Sequence, residues 1–144
     1  MKIYTTLLFA LIGLSLFGQN NNGIKADSNK YTDTVIISLG QMIYLEGEIV
    51  NDDYLKLKVV NSISDSSKTI RLEFRNNGGL GNVLTVNNPF SKTLTYKAAL
   101  YSKKKNIYIV TDVLPVMPNM KGGAMEMWGG KIEKIRLNSF QLTK

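Results

Sequence analysis

The chain has 144 residues, 18 Lys+Arg against 11 Asp+Glu, and neither histidine nor cysteine. Those two absences remove the usual general base at neutral pH, the thiol nucleophile, disulfide staples and most zinc sites. The net charge of +7 favours anionic partners over cationic ones, although a charge of about 2 to 8 also serves plain solubility in a small domain.

Met1-Lys2 leads into the apolar "IYTTLLFALIGLSLF", which gives way abruptly to the polar "GQNNNGIKADSNK". That is the layout of a secretory signal. A transmembrane anchor needs roughly 20 predominantly apolar residues, and this run is shorter and carries Thr5, Thr6 and Ser15. The expectation is a signal peptide over residues 1–18, cut near Gly18, no transmembrane anchor, and a secreted or periplasmic chain starting at Gln19. A lipoprotein would need a cysteine after the run. Residues 1–18 carry one lysine and no acid, so the remaining 126 residues stand at +6.

Residues 19–32, "QNNNGIKADSNKYT", lack apolar periodicity and read as a flexible leader. From residue 33 to 144 apolar and polar residues alternate at period two, with no helical i, i+3, i+4, i+7 pattern. The expected strand segments are "DTVIISL", "MIYLEGEIV", "YLKLKVVN", "TIRLEFR", "NVLTV", "KTLTYKAALYS", "NIYIVTDV" and "KIEKIRLNSFQL". About eight strands at this spacing predict an all-β, single-domain, mostly antiparallel β-sandwich. It resembles immunoglobulin-like sandwiches in general architecture, without the disulfide and buried tryptophan of true immunoglobulin domains. In the last segment Ile135 and Leu137 set one phase and Phe140 and Leu142 the opposite one. One extra residue near Asn138 or Ser139, a β-bulge, accounts for that.

Between the strands lie turn-formers: Asn51-Asp52-Asp53, "NNGGLGN" at 76–82, "NNP" at 87–89 and "SKKKN" at 102–106. Asp52 and Asp53 could ligate calcium through oxygen, but no further acids accompany them and a turn is the reading adopted. Gly78, Gly79 and Gly81 lack the helix, lysine and hydroxyl of a phosphate-binding loop. They read as backbone freedom for a hairpin or bulge.

Three groups of residues could carry function. Lys103, Lys104 and Lys105, with Tyr101 and Tyr108 nearby and Trp128 further on, suit an anionic polymer that is attracted by charge and contacted by aromatic rings. "MPNMKGGAMEMWGG" at 117–130 offers the thioethers of Met117, Met120, Met125 and Met127, soft ligands that select copper(I), with Trp128 able to face the cation. Methionine also fits irregular cores, and the reading adopted is a structural crossover anchored by methionines. If "AMEMW" enters the last hairpin as a strand, Met125 and Met127 share one face. Glu46 and Glu48, one residue apart on a strand and so roughly 7 Å from each other, have the spacing of an inverting glycosidase pair.

The resulting expectation is a non-enzymatic extracytoplasmic binding or interaction module without a cofactor. Its partner is expected to be a protein or an anionic glycan, not a nucleic acid. A copper(I)-binding protein is the runner-up and a small carbohydrate-active enzyme the third reading.

Overall fold

The computed structural model describes residues 30–51 and 53–144, so the expected signal peptide, most of the expected leader and Asp52 lie outside the described residues. The described chain is all-β, apart from one 3₁₀ turn at Gly78–Leu80. Its ten strands are β1 (Tyr31–Thr32), β2 (Thr34–Ser38), β3 (Met42–Val50), β4 (Tyr54–Val60), β5 (Thr69–Asn76), β6 (Asn82–Asn87), β7 (Thr93–Ser102), β8 (Ile107–Thr111), β9 (Ala124–Trp128) and β10 (Lys134–Thr143).

Each of the eight expected segments matches one of these strands: five contain theirs whole, and the segments for β5, β6 and β10 stop one residue short of the strand's end. The other two strands are β1 and β9. The first takes two residues from the expected leader, Tyr31 opposite Lys58 and Thr32 opposite Leu57. Contrary to the hairpin considered for "AMEMW", β9 pairs with β6, Met127 facing Val83 and Met125 facing Thr85.

All strands pair antiparallel in one curled sheet, in the order β8-β7-β10-β4-β3-β5-β6-β9, with β1 added to β4 and β2 to β10. Its two halves form the layers of the sandwich: β2, β10, β7 and β8 in one, β1, β4, β3, β5, β6 and β9 in the other. Period-two patterning decides the inside. Leu55 and Leu57, Ile70, Leu72 and Phe74, and Leu84 and Val86 point into a single core shared with Ile135 and Leu137. Fully burying each such side chain contributes about 1.5–3 kcal/mol.

The predicted bulge is present. The pairing of β10 with β7 shifts between Asn138 and Gln141, and Ser139 takes φ 54°. Phe140 and Leu142 thereby rejoin Ile135 and Leu137 in the core. Before the bulge β10 pairs with β2 through Lys134–Asn138, and after it Gln141 pairs with Tyr54 of β4. The extra residue thus sits where β10, paired with β7 on both sides of the bulge, exchanges β2 for β4 as its other neighbour.

The two edge strands, β8 and β9, are joined by residues 112–123. Side chains bridge this connection. The Leu114 N–H donates to Glu126 Oε1 at 2.6 Å, and the Trp128 indole N–H donates to Thr111 Oγ1 at 3.3 Å. Beside this seam Tyr96 stacks on Phe140 with ring centres 5.7 Å apart. Burial, and secondarily the Glu126 charge, pushes the Tyr96 phenol above its ordinary value of 10.0.

Methionines are not the anchors of this segment, which corrects the sequence reading. Met117, Met120, Met125 and Met127 are all 49–62% exposed, whereas Val116 is fully buried and Ile132 nearly so. Val116 exchanges both backbone hydrogen bonds with Leu94, 2.8 and 2.9 Å, and Trp128 packs against the core. Pro115 and Pro118 break the period here, so composition could not tell Val116 from its neighbours. A Met→Ala change at Met117 or Met120 is expected to cost no more than about 0.5 kcal/mol, the usual range for surface substitutions. Urea unfolding of the single variants measures it, and a loss of about 2 kcal/mol would return methionine to the core.

Candidate binding face

The β7–β8 hairpin carries the lysine run at its tip. Tyr101 and Tyr108 are directly opposite across the ladder, next to the closing pair Ser102–Ile107. Their rings lie 5.3 Å apart, tilted by 54°. The tip, Lys103–Asn106, turns through Asn106 at φ 53°, a left-handed conformation that asparagine tolerates. The Tyr101 hydroxyl donates to Asn106 Oδ1 at 2.7 Å and braces the turn.

Lys103, Lys104 and Lys105 are exposed. Lys103 Nζ lies 3.2 Å from Glu133 Oε1, an exposed pair of little energetic weight. Lys104 and Lys105 have no ion pair among the described residues, so their charge is left to solvent and to whatever binds.

Two further cations join this group. Ile135 and Leu137 point inward on β10, so Lys134 and Arg136 point outward, and β10 lies beside β7 with Arg136 opposite Ala99. Lys134 Nζ is 5.8 Å from the centre of the Tyr101 ring, and the Arg136 guanidinium carbon is 4.6 Å from that of Tyr108. Both distances fall within the reach of a cation–π attraction. The alternation of "KIRLN" gave the outward phase of these two residues. No local pattern names β7 as the neighbour of β10, and without that neighbour their place beside the tyrosines was hidden.

At the hairpin end of this outer face five cations, Lys103, Lys104, Lys105, Lys134 and Arg136, therefore lie around two tyrosines and one acid, Glu133, with Lys97 further along the same face of β7. Trp128 stands apart from this group. It occupies the inward phase of β9, half-buried, with its N–H given to Thr111.

The methionine stretch contributes a turn and an edge strand. Gly123 N–H donates to Met120 C=O at 3.1 Å, with Gly122 at φ 82°. Met117 Sδ accepts from Thr93 Oγ1 at 3.9 Å, and Met125 and Met127 face outward on β9. If the four thioethers bound copper(I), the metal would raise the melting temperature of the wild type and not of a variant with all four changed to Leu. No such shift is expected in either protein under reducing, anaerobic conditions. A saturable one-to-one stabilisation lost in the variant would establish the copper reading.

Glu46 and Glu48 lie beside a cleft of ≈ 600 Å³ on the other layer, lined by Tyr31, Gly47, Lys58 and Phe90 as well. Glu48 Oε2 accepts from the Tyr31 hydroxyl and Glu46 Oε2 from Ser64 Oγ. The hydrogen bond to Glu48 is the main cause that raises the Tyr31 phenol above its ordinary value. The register sets Lys58 opposite Glu46 and Lys56 opposite Glu48, the opposite-charge pairing that stabilises a wet sheet face. Asp53, the described half of the candidate calcium pair, lies 3.2 Å from Lys92 Nζ. Among the described residues no group of three or more acids could hold a metal ion, and no helix is long and apolar enough to cross a membrane.

Comparison of the chain with known protein families, with curated proteins and with solved structures finds no match.

Proposed function

We propose that this protein is a non-enzymatic binding module that works outside the cytoplasm and holds an acidic glycan on the outer face of β7, β8 and β10. The observation that carries this reading is the convergence of Tyr101 and Tyr108 with five cations, four of which have no ion pair among the described residues. Such a face raises the local concentration of a polyanion, and its charges are free to exchange counterions for anionic groups. The extracytoplasmic placement rests on the apolar run and Gly18 at the start of the sequence.

The test is retention on a sulfated dextran resin as a function of salt. Changing Lys103, Lys104 and Lys105 together to Ser should lower the eluting salt and flatten the dependence of log affinity on log salt by about 2, the slope expected for three lost contacts to a single-stranded polyanion. Changing Lys56 and Lys58 to Ser on the other layer should have a much smaller effect. Equal losses would assign retention to net charge alone, and no retention of the wild type would remove the proposal.

A further inference from the structure

We infer that Arg136 determines specificity on this face by gripping one sulfate or carboxylate group of the glycan end-on, with Tyr108 as the platform that fixes its guanidinium. The inference rests on the glycan reading above and names the residue that reads the anion.

Three observations single Arg136 out among the five cations. Its path across the sheet is cleared by Ala99, which is directly opposite on β7 and only 4% exposed. A larger residue there would block the approach to β8. The guanidinium then lies 4.6 Å from the Tyr108 ring centre, which restrains its orientation. Finally, it forms no ion pair and donates no hydrogen bond among the described residues, and its Nε is shut off from solvent without a partner. A guanidinium has five donors in a rigid fork, and a desolvated donor without an acceptor is costly. The terminal nitrogens of a fork held in this way present two parallel donors, the geometry that matches a carboxylate or sulfate bidentately. Lys104 and Lys105, exposed on long flexible stems, supply attraction but no fixed geometry.

The same arrangement favours a glycan over a single-stranded nucleic acid. Nucleic-acid binding without sequence preference uses aromatic faces on which bases stack. Here the rings are tilted by 54°, and a cation stands over each, Lys134 on Tyr101 and Arg136 on Tyr108.

Binding of dextran sulfate, polygalacturonate and poly(dT) by the wild type, R136K, Tyr108→Leu and the triple-serine variant distinguishes the possibilities. R136K keeps the charge and loses the fork, so affinity for both glycans should fall about tenfold with the salt slope unchanged. Tyr108→Leu should give a loss of the same size, because the platform is gone while every charge remains. Melting curves of the variants, run alongside, restrict the comparison to folded protein. If R136K and Tyr108→Leu both bind like the wild type while the triple-serine variant is weakened, the glycan face stands and the role of Arg136 is overturned. A wild type that binds neither glycan overturns both, and one that prefers poly(dT) replaces the glycan by a nucleic acid.

Discussion

Gly123→Ala is expected to destabilise the protein by on the order of 3 to 5 kcal/mol, strain and overpacking together, whereas Gly122→Ala one residue earlier costs about 1 to 2 kcal/mol. Both glycines have positive φ, 82° at Gly122 and 77° at Gly123, so both pay the backbone penalty of a left-handed residue. Only Gly123 also lacks room. A Cβ at Gly122 meets nothing within 4 Å, but at Gly123 it would stand 2.2 Å from Asn87 Oδ1, 2.7 Å from the Val86 carbonyl oxygen and 3.1 Å from Thr85 Cγ2. The Asn87 side chain can swing away. The Val86 carbonyl belongs to β6, whose pairing with Ala124 starts the ladder to β9, so relief requires β9 to separate from β6. Denaturant unfolding of the two variants measures the difference, and faster hydrogen exchange of the β6 and β9 amides in Gly123→Ala locates it. Equal midpoints would mean that the close approach of residue 123 to β6 is wrong.

What the sequence disclosed and what it hid follow from the range of each physical signal. Strand faces are written locally, because a side chain and its second neighbour share an environment. Leu55 and Leu57, or Ile70, Leu72 and Phe74, could therefore be assigned inward from the pattern alone. Even the bulge in β10 was legible, since one inserted residue reverses the phase of everything after it, and Phe140 and Leu142 record the reversal. Strand order is not written locally. That β10 lies between β7 and the β2–β4 side, or that β9 pairs with β6 across 36 intervening residues, depends on long-range contacts without a short-range pattern. Lys134 and Arg136 were hidden for that reason, although their outward phase was not. Tyr31–Thr32 was too short to show any period. In 112–123, punctuated by Pro115 and Pro118, no period exists to say which apolar residue turns inward, and the adaptability of methionine to irregular cores favoured Met117 and Met120 over Val116. Tight approaches of backbone to backbone leave only a glycine as their trace: Gly81, whose Cβ would lie 2.5 Å from the Trp128 carbonyl oxygen, was read correctly as a backbone requirement, but not as a contact with β9.

Phe74→Ala is the second large effect, and it separates stability from binding. Phe74 sits on β5, fully buried, with Leu84 of β6 as its cross-strand partner, and its backbone is tied to the turn before β3, its N–H donating to Gln41 C=O at 2.9 Å and its C=O accepting from Gly40 N–H at 2.8 Å. With one edge of its backbone tied to that turn and β6 on the other side, the strand has little freedom to close over the space left by a phenyl ring, so the cavity should persist and the cost should be about 3 to 5 kcal/mol. Against a total stability of about 5–15 kcal/mol, that is a substantial part of what keeps the protein folded. Urea unfolding should show the midpoint falling with an unchanged m-value, and Phe74→Leu, which retains most of the apolar volume, should lose less than half as much. The proposed glycan face lies on β7, β8 and β10 and contains no β5 residue. Distant sites of this kind are nearly independent. Below the unfolding transition, Phe74→Ala should therefore bind dextran sulfate with wild-type affinity per folded molecule, whereas R136K should lose affinity at wild-type stability. If Phe74→Ala instead weakens binding in the fully folded protein, the core of the second layer and the face of the first are mechanically coupled, and the binding surface cannot be confined to those three strands.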